Sequence, residues 1–264
     1  MNKTFDIKRF GNVLRHDAMS YLQNFGWTLV VLLAIPILIW FILYINMDDT
    51  EAVVNYERYG FLLCLAIIAM ILAPSRLYKN ANDSRKGIQF AMLPASNMEK
   101  FLSMSIYCLV VTPILYLAGA VAIDSILALI PGNNPYGGFV FRNIFHTNIM
   151  KVELNDDIFL MPLPFYQVFL LLSYVSIFMF TNMIFKKRKV SKTIGILALI
   201  GIIFMVIFIR VILNYENIYE YDTIPDDTQE VLVKCAYYGY YVFNIILTSV
   251  MLYLTYYKIR KQKY

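Results

Sequence analysis

Asp124 and Arg210 are the charged side chains placed to do chemistry inside an apolar phase. Asp124 closes an uncharged run that begins at Phe101, and Arg210 follows one that begins at Thr193. An acid and a base within a membrane can pair, relay protons or meet a charged cargo. Counting helical rise places both toward the same interface, where snorkelling satisfies them without special chemistry. Snorkelling is the simpler account, and an intramembrane ion pair the functional one. Neutral polar side chains interrupt other apolar runs: Ser103, Ser105 and Thr112; Ser173, Ser176, Thr181 and Asn182; Asn244, Thr248 and Ser249. Asn244 and Thr248 share a helical face at i,i+4. Such groups either line a translocation path or bond neighbouring helices, the second for about 1 kcal/mol or less per contact. The packing role is the default.

Other chemistry is missing. The sequence has no G-x-x-x-x-G-K-[ST] loop, so ATP hydrolysis by this chain is not expected. It has no H-E-x-x-H, and His16 and His146 are its two histidines, which argues against a zinc protease. There is no G-x-S-x-G elbow and no paired intramembrane carboxylates. Cys64, Cys108 and Cys235 lack paired spacing and read as small apolar side chains. No catalytic residue, cofactor or metal site is expected.

The longest polar stretch among the basic loops runs from Arg76 to Phe101. Asp83 or Ser84 can cap a short helix carrying Arg85 and Lys86, with Ile88 and Ala91 or Met92 on one side. Pro94 disfavours helix at Leu93. Ser96-Asn97-Met98-Glu99 then matches a capping box, in which Ser96 bonds the Glu99 amide and Glu99 bonds the Ser96 amide. That much order in a loop between apolar spans suggests a docking surface. A solvated loop before a well-capped helix is the plain alternative.

These residues hang on apolar spans. The chain has 264 residues, 59% hydrophobic and 16% charged, with mean hydropathy +0.59. A soluble domain carries about 25% charged residues. Uncharged runs cover 18–47, 59–75, 101–123, 158–185, 193–209 and 235–257, each at least 17 residues. Six membrane helices are predicted, at about 27–45, 59–77, 97–130, 162–185, 194–213 and 236–257. Between them lie inner loop 78–96 and outer loops 46–57, 131–161 and 214–235. The fold class is all-α, a single polytopic membrane domain over 1–264. Pro36 and Pro74 should kink or end their helices. The 131–161 loop has room for a short re-entrant or surface helix.

Residues 4–25 place Ile7, Phe10, Leu14, Ala18, Tyr21 and Phe25 on one face, with Thr4 or Asp6 as cap. This is the pattern of an amphipathic helix lying in the interface. The first apolar run is too long for a cleavable leader. Of 23 Lys and Arg, 18 fall in the N-terminal segment, the second-to-third and fourth-to-fifth connections and the tail. The positive-inside rule puts both termini in the cytosol. The net charge of +5 therefore faces lipid headgroups at the inner surface of a cytoplasmic membrane, not nucleic acid.

In this layout, and in the string Leu93-Pro94-Ala95-Ser96-Asn97-Met98-Glu99-Lys100-Phe101, the chain resembles the permease subunits of type-two ABC exporters. The string is similar to an LP-x-S-x-x-EKF stretch of small bacterial permeases. The resemblance covers the whole chain in architecture and nine residues in sequence. It implies that Asp83 to Leu93 is a coupling segment docking into a separate ATPase subunit. It also implies a second permease copy, identical or different, and a structured outer element near Asn214–Lys234. Two other classes stay open. A secondary transporter would need an ion site and inverted repeats, which the sequence does not display. A non-transport membrane protein, such as an assembly factor or envelope sensor, would lack an ATPase partner.

Overall fold

A computed structural model describes residues 5–45, 55–79, 81–82, 87–131, 134–141, 149–154, 157–162, 166–216 and 226–261. Among the described residues the fold is a helical assembly with one β-hairpin. In order, the helices are α1 (Ile7–Asn24), α2 (Gly26–Ile45), α3 (Asn55–Leu77), α4 (Gly87–Met92) and α5 (Asn97–Ile106). A π-helical turn at Tyr107–Val111 leads into α6 (Thr112–Ala128). Strands β1 (Ile149–Leu154) and β2 (Asp157–Pro162) pair antiparallel, with Ile149 opposite Pro162. Helices α7 (Tyr166–Ile184), α8 (Lys189–Glu216) and α9 (Asp226–Lys261) complete the chain.

Gly26–Ile45, Glu57–Leu77, Asn97–Ala128, Lys189–Ile207 and Tyr238–Lys261 are long and apolar enough to cross a membrane. The molecule is thus compatible with a multi-pass membrane protein. Phe169–Ile184 of α7 is apolar but shorter, so five such helices stand among the described residues where the sequence predicts six spans.

Several boundaries differ from expectation. The fourth predicted span is α7, which starts at Tyr166, after the strand that ends at Pro162. The next starts at Lys189, not Ile194, so Lys189 and Lys192 belong to its first turn while Lys186, Lys187 and Arg188 precede it. The last starts at Asp226, inside the segment expected as loop 214–235. The described part of 131–161 holds the hairpin where a surface helix was considered; Val152, Ile158 and Phe159 are strand-favouring residue types. The end of α3 at Leu77 is the predicted one, with Pro74 inside its last turn.

Local chemistry explains other boundaries. The Asp6 carboxylate accepts from the Lys8 and Arg9 amides and starts α1; Thr4, the other predicted cap, lies outside the described residues. Helix α4 stops at Met92, two residues before Pro94. The π turn sits just before Pro113, whose ring would clash with the carbonyl four residues back in a regular helix. The Thr112 amide and hydroxyl both donate to the Tyr107 carbonyl there.

Packing forms two clusters. In the first, Ala66, Ala69 and Ala73 of α3 let Tyr21, Phe25, Leu32, Tyr116 and Ala120 approach closely. Gly119 belongs to the same contact: a Cβ there would meet Leu33 Cδ1 at 3.1 Å. In the second, Met70, Met104, Met179 and Met183 join Tyr78, Cys108, Val175 and Ile259 across α3, α5, α7 and α9. Flexible thioethers fill such irregular junctions. Phe169 and Tyr241 stack edge-on at 5.1 Å between α7 and α9. Much of α8 is bare, Phe204 being 66% exposed.

Helix α1 runs into α2 through Phe25 alone, which is fully buried. Its buried side is Val13, Asp17 and Tyr21. That is a correction to the predicted face. Phe10, Leu14 and Ala18 are half-buried, and Ile7 is 77% exposed. The helix is turned by about one residue because polar partners on α3 and α5 grip Asp17.

Candidate functional site

The site lies where the start of α1, the end of α3, α4 and the start of α5 converge, termed here the basic end. Its centre is Glu99, fully buried. The predicted capping box is present: the Glu99 amide donates to Ser96 Oγ at 3.2 Å, and the Ser96 amide donates to Glu99 Oε2 at 2.8 Å. Glu99 does more than cap. Its Oε1 accepts from the Asp6 amide at 2.9 Å and from Arg9 Nη2 at 3.2 Å. One carboxylate therefore ties the first turn of α1 to the first turn of α5, and charge-assisted bonds of this kind are the strong ones.

Lys100, 3% exposed, reaches the other way. Its Nζ donates to the Phe90 carbonyl at 2.8 Å and lies 5.3 Å from the Phe90 ring centre. Helix α4 is thus held to α5 through a buried ammonium. Met92, at the end of α4, is 78% exposed.

Asp17 is the second centre. Tyr78 and Ser103 donate hydroxyl hydrogens to its Oδ2 at 2.8 and 2.6 Å, and His16 Nδ1 lies 3.2 Å from Oδ1. Burial, then the Asp17 charge, push the Tyr78 phenol well above its ordinary pKa, so it stays a donor. Tyr107 donates to the Leu14 carbonyl at 2.9 Å. Beside Asp17 opens a cavity of 380 Å³, which His16, Ser20, Gln23, Asn24, Tyr78 and Phe90 help to line. The segment after α3 is also clamped to the α7–α8 junction. Asn182 donates to the Tyr78 carbonyl at 3.4 Å, Asn82 to the Ile184 carbonyl at 2.9 Å, and Lys189 to the Lys79 carbonyl at 2.9 Å.

At the far end, Asp124 is 2% exposed and pairs with Arg58, not with Arg210. Snorkelling is thus the wrong account for Asp124. Arg58 Nη1 lies 3.7 Å from Asp124 Oδ1. The same guanidinium donates through Nη2 to the Gly138 carbonyl and sits 4.0 Å from the Tyr136 ring centre. The Val140 amide donates to Asp124 Oδ2 at 3.4 Å. Burial first, and the Asp124 charge second, push the Tyr136 phenol up to about 12. The pair folds segment 134–141 over the helix ends.

Of the other predicted residues, Asp83, Ser84, Arg85 and Lys86 lie outside the described residues, as does the side chain of Ile88. Arg210 is exposed on α8. Asn244 is buried; it accepts from Ser173 Oγ at 3.0 Å and donates to the Tyr240 carbonyl. Thr248 donates to the Asn244 carbonyl within its own helix. Asn244 thus joins α7 to α9, and the Thr248 hydroxyl is satisfied within α9.

Arg9, Asp17, Arg58 and Lys100 carry contacts that sequence reasoning did not assign. Asp17 had a signal, standing at i,i+4 between Val13 and Tyr21. Arg58 had another, as the base bordering the 59–75 run. Among the described residues no group of three His, Cys, Asp or Glu could hold a metal ion. No protein-family model matches the chain, and no curated protein and no solved structure matches it.

Proposed function

We propose that the chain is the permease subunit of an ATP-driven ABC transporter of the type-two exporter form. It crosses the cytoplasmic membrane six times, with α7 as the fourth span. Both termini are cytosolic, and α1 lies in the inner interface. A second permease copy and a separate ATPase pair complete the transporter. The ATPase docks on the segment that contains α4.

The supporting observation is the tie between α4 and the helices around it. Lys100 holds the Phe90 carbonyl, and its neighbour Glu99 holds Ser96, Asp6 and Arg9. Force applied to α4 reaches α5 and α1 through buried, charge-assisted bonds. Such a joint transmits motion because its members cannot slide without leaving buried charges unpaired. The exposed Met92 gives the docking partner an apolar anchor.

The test is gentle purification of the tagged full chain from its host membrane, with identification of co-purifying proteins. A stoichiometric partner bearing a nucleotide-binding loop is expected. Met92→Asp should reduce it at least tenfold while membrane content of the chain is unchanged. A homo-oligomer without any nucleotide-binding partner sinks the proposal.

A further inference from the structure

A second cavity, of 410 Å³, opens between the end of α3 and the start of α8. Its volume is within the range of ligand sites. One wall carries Ser75, Arg76 and Lys79, and the other runs from Lys186 to Ser191. Among the described residues, every ionisable group in the lining is a cation. Among the described residues, Arg76, Lys79, Lys187 and Arg188 form no ion pair with a carboxylate. Like charges gathered in one recess repel unless an anion joins them.

Two features give the recess a defined form. Lys189 Nζ donates to the Lys79 carbonyl at 2.9 Å, which fixes the two walls against each other. Arg188 has φ 50°, a left-handed conformation that an L side chain adopts at a cost. That turn brings Val190 and Ser191, in the first turn of the 28-residue α8, into the lining. A helix N-terminus adds positive partial charge to the lysines and arginines.

We propose that this cavity binds a phosphate-bearing anion, supplied by the headgroup of an anionic lipid. Phosphate suits the lining, because an Arg fork and several ammonium groups can share its oxygens. Lipid suits the place. Helix α3 leaves its apolar stretch at Leu77, and α8 enters one within its first turns. The cavity therefore opens at headgroup depth in any membrane these helices cross. The site depends on the chain being membrane-spanning, and not on an ATPase partner. A bound headgroup would lock the junction that also holds Asn82 to Ile184.

The test uses the purified full chain and its thermal unfolding midpoint in mixed micelles. Phosphatidylglycerol, phosphatidylcholine and inorganic phosphate are titrated separately. Lys79→Gln with Lys187→Gln removes one exposed charge from each wall. Lys258→Gln with Arg260→Gln removes two exposed charges from the same end, away from the cavity. Phosphatidylglycerol should raise the midpoint where phosphatidylcholine does not. Half-saturation should weaken about thirtyfold in the cavity variant, which loses two ammonium groups that contact the bound phosphate, and much less in the tail variant, whose charges only add to the surface potential. Equal weakening in both variants would mean diffuse surface charge and overturn the site. So would equal effects of the two lipids. Protection by inorganic phosphate at the same concentration as lipid, lost in the cavity variant, would keep the phosphate site and overturn the lipid as its source.

Discussion

Two buried carboxylates stand at opposite ends of the molecule and are satisfied in opposite ways. Glu99 gathers three donors within 3.2 Å, two of them backbone amides. Asp124 has one amide at 3.4 Å and a guanidinium at 3.7 Å, beyond good hydrogen-bond geometry. At the basic end the carboxylate makes the joint and Arg9 is an accessory. At the far end Arg58 makes the joint, through Gly138, Tyr136 and Asp124 together, and the carboxylate is the accessory. Where the donors are backbone amides, the acid can be fixed tightly between two helix starts. Where the donor is a long side chain, one cation can gather a loop.

The largest effect should come from Glu99→Ala. It removes the buried acceptor shared by the Arg9 guanidinium and the Asp6 and Ser96 amides, a loss of about 3–5 kcal/mol. A fall in the thermal midpoint of the detergent-purified chain measures it. Glu99→Gln keeps an acceptor and should recover a good part. Equal losses for Ala and Gln would put the weight on charge, and the contrast with Asp124 would fail.

Next comes the Arg58–Asp124 cycle. Arg58→Met leaves a buried carboxylate with one long hydrogen bond and frees segment 134–141, a cost of about 3 kcal/mol. Asp124→Leu should cost less, because Arg58 keeps Gly138 and Tyr136. The double variant should cost less than Arg58→Met, since no buried carboxylate is left stranded, and more than Asp124→Leu, since Gly138 and Tyr136 lose the guanidinium. Limited proteolysis at 134–141 should quicken for Arg58→Met and stay slow for Asp124→Leu. The reverse order would make the acid the organiser at both ends.

What sequence reasoning could reach follows the same divide. The Ser96–Glu99 box, the Asp6 cap and the stop before Pro94 are interactions within a few residues, so residue type and spacing suffice. Arg9 and Glu99 lie 90 residues apart. Their meeting depends on how α1 is rotated, and the apolar periodicity of α1 pointed one residue away from Asp17. Arg58 borders an uncharged run and reads as a loop residue, so the sequence shows no partner for Asp124 there and snorkelling is its simpler account. The apolar helices were legible from their charge deficit. The start of α8 was not, because Lys189 and Lys192 read with the basic loop before them, although Lys is a good helix former.

The smallest effect tests whether polarity inside the apolar spans matters at all without charge. Asn244 and Thr248 share a face of α9, yet Asn244 alone bonds across to α7, through Ser173. Thr248 donates to a carbonyl of its own helix, a bond that any neighbouring position would offer equally. Asn244→Leu should therefore cost about 0.5–1.5 kcal/mol, the scale of one interhelical hydrogen bond. Thr248→Val should stay within about 0.5 kcal/mol. Both can be read from detergent unfolding, with Ser173→Ala closing the cycle for Asn244. If Thr248→Val costs more than Asn244→Leu, the i,i+4 pair is not packing, and a polar path along α9 becomes the better account of both residues.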